Sequence, residues 1–137
     1  MAIIRSSLFI AGLIAASMPA WSATAPVAQA WPQFRGPARD GVSPEKLAFG
    51  ADAPKQLWKA SLGTGFTSIA VAGGLVYSSG NAGDQDSVQC FDAASGKPLW
   101  KYSYPAKLDP KMYEGGPNAT PTVVGGSVFI FNDHFHS

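Results

Sequence analysis

Two histidines near the end of the sequence have the side chains and the spacing for metal binding. His134 and His136 alternate beside Asp133, so on an extended strand both imidazoles would lie on one side. A metal site needs three or four ligands in a defined geometry, and no further ligand is recognisable nearby. We therefore expect both histidines to be solvated, and we predict no metal site.

Acidic residues that could hold calcium occur at Asp84 and Asp86, in a predicted loop between two strands. Calcium takes roughly six to eight oxygen ligands, more than this loop offers, so hydrated turn residues are predicted instead.

Residues 63–68 resemble a dinucleotide-binding loop, but the last glycine is missing and a strand follows instead of a helix, so no dinucleotide site is predicted there. The single cysteine, Cys90, cannot form an internal disulfide.

Three residues are candidates for a ligand-binding face, although the sequence assigns no catalytic residue. Tyr113 and Glu114 lie in a predicted insertion, residues 104–116, and long loops on a rigid scaffold often carry function. A rigid spacer is an equally good account of that insertion. Arg35, Arg39 and Asp40 could form a buried charge pair or line an entrance, and the neighbouring aromatic residues and prolines favour the structural role.

The composition indicates a globular, β-rich chain. Hydrophobic residues make up 46% of the sequence and charged residues 14%, which is typical of a globular chain and not of a disordered one. The 15 glycines and 11 prolines suit short strands joined by tight turns. The 10 basic residues nearly balance the 9 acidic ones, so no basic surface is predicted to bind nucleic acid or anionic lipid.

Residues 1–30 have the pattern of a cleaved export signal. Arg5 precedes an uncharged apolar run, residues 8–16, that is too short to span a bilayer. Small-residue cleavage sites end at Ala23 and Ala30, and only the second has the favoured Ala-x-Ala form. No cysteine near these sites can carry a lipid, so the pattern predicts a periplasmic or secreted protein without a stable membrane anchor.

An internal repeat organises the remainder of the chain. Leu-Trp-Lys occurs at residues 57–59 and again at 99–101, and this spacing agrees with the roughly 40–45 residues of one propeller blade. Residues 69–77 resemble residues 121–129 at a larger offset, which places an insertion between them. The predicted divisions are an export signal at 1–30, a leader at 31–55 and blades at 56–137.

Glycine pairs mark two hairpins within this repeat. Gly73-Gly74 and Gly125-Gly126 each stand between apolar runs, and paired glycines permit the positive φ angles of a two-residue turn. The fold predicted is all-β, with one complete four-stranded antiparallel propeller blade and half of a second. The predicted strands are residues 68–72, 75–79, 88–92, 98–103, 120–124 and 127–131.

The turn between the third and fourth strands carries the other repeat residues. Asp92 can accept hydrogen bonds from the turn backbone, and Gly96 can take the left-handed conformation. Trp58 and Trp100 are predicted to fill the space between neighbouring blades, with ligand stacking as the alternative. Residues 56–61 are then an outer strand that lacks a blade of its own.

The segment Asp-Ala-Ala-Ser-Gly-Lys-Pro-Leu-Trp at residues 92–100 resembles the signature of pyrroloquinoline-quinone (PQQ) repeats. The leader at residues 31–43 resembles the opening of a group of secreted bacterial PQQ-like propeller proteins, some of them named polyvinyl-alcohol dehydrogenase or quinoprotein. This resemblance implies a propeller of about eight blades when complete. The chain, with about one and a half blades, is identified as an N-terminal fragment of such a protein.

The resemblance leaves more than one function open. A non-catalytic propeller would bind a protein or a carbohydrate and needs only the repeats. A PQQ-dependent alcohol dehydrogenase would use PQQ with calcium, and several relatives carry a cysteine pair that Cys90, followed by Phe91, does not form. A scaffold like the lipoprotein of outer-membrane protein assembly is disfavoured by the missing lipid cysteine. We expect a binding or scaffold module, without a cofactor and inactive as this fragment, although a full-length relative could carry PQQ with calcium.

Export predicts a new N-terminus in the mature protein. N-terminal sequencing of the periplasmic or secreted product should begin after Ala23 or Ala30, because signal peptidase cleaves after small residues at this distance from the apolar run. A product that retains Met1 and is found only in the cytosol would contradict this prediction.

Overall fold

The protein is described by a computed structural model over residues 30–46, 50, 54–110 and 114–131. The predicted signal residues 1–29, Tyr113 and both histidines lie outside these ranges. Within them the chain is all-β, with a four-stranded antiparallel sheet ordered β1-β2-β3-β4 and a hairpin β5-β6, which confirms the predicted fold class. The strands are β1 (Ala70–Ala72), β2 (Leu75–Asn81), β3 (Gln85–Asp92), β4 (Pro98–Pro105), β5 (Thr122–Val124) and β6 (Ser127–Phe129).

Paired glycines close the β1-β2 and β5-β6 hairpins. The φ angles are 59° at Gly73 and 75° at Gly74, and they are 55° at Gly125 and 81° at Gly126. Two consecutive positive φ angles define the two-residue turn whose twist matches that of antiparallel strands. Residues with a Cβ rarely adopt these angles, so the glycines set the register of both hairpins.

The turn between β2 and β3 is tighter than the sequence predicted. It is formed by Gly83 and Asp84, both with positive φ, and the residues on either side exchange backbone hydrogen bonds of 3.0 and 3.3 Å. Because the turn is so short, β3 already begins at Gln85. The prediction that Asp86 is a hydrated loop residue was therefore wrong, since Asp86 lies in β3 and is fully buried. Similarly, β4 continues to Pro105, into the first residues of the predicted insertion.

The two faces of the four-stranded sheet are buried by different parts of the chain. One face carries Tyr77 and Cys90, which belong to a core cluster that also contacts the β5-β6 hairpin. The other face carries Phe91, whose ring stacks on Trp58 with centroids 6.1 Å apart. The blade is thus covered by the segment before it and by the hairpin after it, as expected where each repeat stabilises only its neighbours.

Residues 56–61, predicted as an outer strand, form no strand in the part of the chain that the structure describes. A strand needs a hydrogen-bonded neighbour, and no described strand pairs with them. Trp58 nevertheless docks on the blade: its indole nitrogen donates to the Ala93 carbonyl at 2.9 Å, and its ring covers Gly96. A Cβ added at Gly96 would lie 2.5 Å from the indole, so this contact requires glycine.

The leader covers the free edge of β1, which we call the inner edge of the sheet. Trp31 and Val71 of β1 exchange backbone hydrogen bonds of 2.7 and 2.8 Å. The carbonyl of Pro32 accepts a hydrogen bond from the Val123 amide of β5 at 2.8 Å. The leader therefore pairs with the edge of β1 and contacts the second hairpin as well, so β1 does not present a bare edge to other chains.

The indole on Gly96 predicts a stability difference between two glycine-to-alanine substitutions. Gly96 and Gly74 have nearly the same φ, 71° and 75°, but a Cβ at Gly74 would meet nothing within 4 Å. Gly74→Ala should cost about 1–2 kcal/mol from left-handed backbone strain. Gly96→Ala should cost about 1–3 kcal/mol more, because the added methyl group displaces Trp58. Hydrogen exchange of the β2-β3 ladder amides measures both losses of opening free energy.

A control variant separates the two causes. In a Trp58→Leu background the indole is gone, so Gly96→Ala and Gly74→Ala should have nearly equal effects. An equal cost of the two substitutions in the unaltered chain would show that Trp58 does not rest on the turn.

Candidate ligand-binding face

Three connections of the chain meet at one end of the four-stranded sheet, which we call the loop end. It consists of residues 62–67 before β1, the β2-β3 turn, and residues 106–110 and 114–117 between β4 and β5. The Thr64 and Asn81 backbones exchange hydrogen bonds of 2.9 and 2.7 Å, and the Phe66 amide donates to the Pro117 carbonyl at 2.9 Å. Backbone pairing therefore holds the connections to one another and to the end of β2.

Glycines allow these connections to approach closely. A Cβ at Gly63 would overlap the Asn81 carbonyl, and a Cβ at Gly80 would overlap the Leu62 carbonyl. Gly116 has a φ of 85°, and a Cβ there would come within 2.5 Å of the Thr64 carbonyl. The loop end is thus a close-packed backbone surface in which larger residues could not replace these glycines without moving a neighbouring segment.

A buried amide and carboxylate pair ties the insertion to the blade. Asn81 is 4% exposed and Asp86 is fully buried. The side-chain amide of Asn81 donates to Asp86 Oδ1 at 2.7 Å and to the Ala106 carbonyl at 2.8 Å. Buried polar groups are stable only when they are hydrogen-bonded, so this arrangement fixes where the chain leaves β4.

The second acidic residue of the loop end has a similar role. Asp84 Oδ1 accepts a hydrogen bond from the Leu108 amide at 3.0 Å, and its carbonyl accepts one from the Ala106 amide at 3.0 Å. Across the described ranges, no three His, Cys, Asp or Glu side chains group closely enough to hold a metal ion. The Asp84 and Asp86 carboxylates each accept a hydrogen bond that holds part of the loop end in place.

The predicted face residues have different positions. Glu114 is exposed at the loop end, whereas Tyr113 lies outside the described residues. Arg35, Arg39 and Asp40 are all exposed, and Arg35 donates to the Asp40 carbonyl at 3.0 Å, so the prediction of a buried charge pair among them was wrong. The leader pairs antiparallel with β1 at Trp31 and Val71 and turns after Pro32, where the Gly36 amide donates to the Gln33 carbonyl.

The repeat residues Asp92 and Gly96 lie at the opposite end of the sheet, in the β3-β4 turn. Asp92 Oδ1 accepts hydrogen bonds from the Ser95 hydroxyl at 2.6 Å and the Ser95 amide at 2.8 Å. These two bonds, that of the hydroxyl first, lower the pKa of Asp92 below its ordinary value. The carboxylate is thus held ionised as an acceptor within the turn on which Trp58 rests.

Trp100 occupies the position of Trp58 one repeat later, on the opposite face of the sheet. Trp100 is 42% exposed, and its ring centroid lies 6.0 Å from that of Tyr77. It lines an open apolar cleft of about 380 Å³ toward β6, together with residues such as Val88 and Ile130.

The repeat has a counterpart among known proteins. Residues 46–134 match the model of a family of PQQ-type repeats described as outer membrane protein assembly factor BamB. The chain belongs to this family. No curated protein and no solved structure matches it. The matched range includes both glycine pairs and both repeat tryptophans, so the BamB-type match and the internal repeat identify the same blades.

The only thiol of this BamB-family chain is poorly suited to nucleophilic chemistry. Cys90 is fully buried in the core of the blade beside Tyr77. Burial raises the pKa of the Cys90 thiol and also that of the Tyr77 hydroxyl. Both groups are therefore neutral at physiological pH, and a protonated, inaccessible thiol does not attack substrates.

The sequence prediction does not identify Asn81 and Asp86 as the pair that holds the loop end. The predicted strands 75–79 and 88–92 leave both residues inside a loop, although Gly83-Asp84 between two polar and β-forming stretches is a signal for a two-residue hairpin. With that turn recognised, Asn81 and Asp86 become cross-strand partners. Their burial depends on the insertion that covers them, and no pattern in the neighbouring residues indicates it.

Removing the Asn81 amide should release the insertion from the blade. Asn81→Ala deletes the donor to both Asp86 and the Ala106 carbonyl, and loss of such buried bonds costs about 1–3 kcal/mol. Amide exchange at Ala106 and Leu108 and proteolysis after Lys107 should become faster.

Ser87→Ala is the matched control, because Ser87 is equally buried but its hydroxyl donates to the Gly80 carbonyl, away from the insertion. If both variants accelerate cleavage after Lys107 equally, the amide is not what holds the insertion.

Proposed function

We propose that this chain is an exported binding or scaffold module that presents the loop end to a macromolecular ligand. The observation that carries the proposal is the family match over residues 46–134, because the family is described by an assembly factor and not by an enzyme. That description favours a protein ligand, with a carbohydrate as the alternative. The balance of basic and acidic residues argues against nucleic acid.

The geometry of the loop end supports this role. Its connections are bonded to one another through their backbones, as between Thr64 and Asn81, so little conformational entropy would be lost on binding. Charged side chains remain exposed on this surface, among them Lys107 and Glu114. A rigid surface with exposed charges of both signs suits recognition of another protein.

Export rests on the sequence pattern of residues 1–30. Arg5 and the apolar run 8–16 precede the cleavage sites, and the blades begin after them. In the described part of the chain no helix is long and apolar enough to cross a membrane. The pattern of residues 1–30 supports a periplasmic or secreted module without a stable membrane anchor.

The PQQ-type repeat makes a PQQ-dependent dehydrogenase the competing function. That chemistry requires PQQ bound with calcium, and calcium requires several oxygen ligands directed at one point. Asp86 is buried with Oδ1 bonded to Asn81, and Asp84 Oδ1 is bonded to the Leu108 amide. Two carboxylates that calcium could use are thus already bonded within the loop end, which supports the binding module over the dehydrogenase.

Site-specific photo-crosslinking tests the loop end as the binding face. A photoreactive amino acid at Glu114 should give a discrete protein adduct in cells that export the chain, because Glu114 is exposed there. The same amino acid at Lys97, exposed in the β3-β4 turn at the other end of the sheet, should give none.

Two results would count against the proposal. Equal adducts at both positions would indicate a non-specific or different surface. Saturable quenching of tryptophan fluorescence by PQQ with calcium would favour the dehydrogenase instead, if the Kd is micromolar, which corresponds to a binding free energy of about −8 kcal/mol.

A further inference from the structure

The four-stranded sheet and the second hairpin contact each other over a narrow region, which we call the joint. Among the described strands, only β1 and β5 bring the backbones of the two sheets close together. Farther from the inner edge, an apolar cleft of about 380 Å³ separates Val88 and Trp100 of the first sheet from Val128 and Ile130. Close packing of one sheet on the other is therefore concentrated at the inner strands.

The leader bonds to both inner strands at this joint. Trp31 exchanges two backbone hydrogen bonds with Val71, and Pro32 accepts one from Val123. Val71 and Val123 occupy equivalent positions in the two hairpins, since both precede the second residue of the glycine pair by three positions. Two adjacent leader residues thus bond to the same position of two successive repeats.

The backbone groups of an extended chain alternate in direction, and this alternation allows one segment to bond to both strands. Successive residues of a strand direct their backbone groups to opposite sides, so Trp31 can bond to β1 while Pro32 bonds to β5. A residue other than proline at position 32 would direct its N–H toward β5 as well. In the described structure no backbone bond other than that of Val123 joins β5 to the leader, so this N–H would have no acceptor on β5. Proline has no N–H, so the site leaves no donor unsatisfied.

The leader is also shaped before it reaches the joint. The Trp31 ring lies on Gly36, whose φ is 77° and where a Cβ would come within 2.7 Å of the ring. The Gly36 amide donates to the Gln33 carbonyl at 3.0 Å, and the Gly41 amide donates to the Arg35 carbonyl at 2.9 Å. These bonds lie within the leader itself, so part of the ordering cost is met before it pairs with the blades.

We propose that the inner edges of β1 and β5 form one acceptor site for an extended segment with proline at its second position, which the chain's own leader occupies. The site, more than sheet-to-sheet packing, holds the second hairpin against the first blade. Its ligand class is a peptide whose first residue exchanges two backbone hydrogen bonds and whose second is a proline that offers only a carbonyl. The segment can therefore be supplied by a separate peptide.

The first test compares two prolines of the leader. Pro32→Ala introduces an N–H that faces β5 without an acceptor, so exchange of the Val123 amide should accelerate by about tenfold, the factor expected when one such bond is weakened. Pro37→Ala changes an exposed proline of the same leader that forms no backbone bond to the described blades, and it should leave Val123 unchanged. The amides of Asn81 and Gly96, bonded elsewhere, should be unaffected by either.

The second test supplies the leader in trans. A protease site inserted between Val42 and Ser43, both exposed, allows the first part of the leader, up to Val42, to be cut from the folded mature chain and removed. Exchange at Val71 and Val123 should then rise together, and a synthetic peptide of residues 30–42 should restore protection at both. A peptide with alanine at position 32 should restore Val71 much more than Val123.

Three results would overturn the proposal. One is unchanged Val123 exchange in Pro32→Ala. Another is unchanged protection of both amides once the leader is removed. The third is failure of the peptide to restore protection to a leader-free chain whose Asn81 and Gly96 amides remain protected. None of these readouts depends on a ligand at the loop end, so failure here leaves the proposed function open.

Discussion

The indole of Trp58 rests on a turn that belongs to the next repeat, and this contact decides how the first blade is covered. A four-stranded sheet has two apolar faces, and neither can be buried within the sheet itself. Trp58 fastens the segment before β1 to one face through its ring contact with Gly96 and its hydrogen bond to Ala93. From there the chain runs along the sheet to the loop end, where residues 62–67 meet β2. The opposite face is left for the β5-β6 hairpin, whose closest approach is at the inner strands.

The features that could be predicted from the sequence are those that a few adjacent residues determine. Paired glycines permit the two consecutive positive φ angles of a two-residue turn, which residues with a Cβ rarely adopt, so the β1-β2 and β5-β6 turns follow from Gly73-Gly74 and Gly125-Gly126. The spacing between Trp58 and Trp100 indicates a repeat of blade length, and the all-β fold follows from it. The bounds of the strands were less accurate, because the Gly83-Asp84 turn was read as a longer loop.

The parts that could not be predicted depend on contacts between distant segments. Nothing near Asn81 shows that residue 106 will cover it, and burial of Asp86 follows only from that contact. The pairing of Trp31 with Val71 joins residues that are far apart in sequence and lack complementary side chains, since backbone groups alone form it. Exposure of Arg35 has the same cause: its surroundings depend on how the leader turns after Pro32 and not on the charges beside it. Hydrophobic periodicity has no information about such pairings.

The contact between Trp58 and Gly96 also bears on how proteins of this kind gain and lose repeats. The tryptophan and the glycine that receives it lie on different repeats, so the interacting unit spans the boundary between them. Duplication of one full period by unequal recombination would copy a tryptophan and a turn together and leave each tryptophan with a partner. An insertion between a tryptophan and the following turn is tolerated only where the added residues form a loop outside the blade. The segment between β4 and β5 is such a place, and the wider spacing of the two glycine pairs than of the two tryptophans records an insertion there.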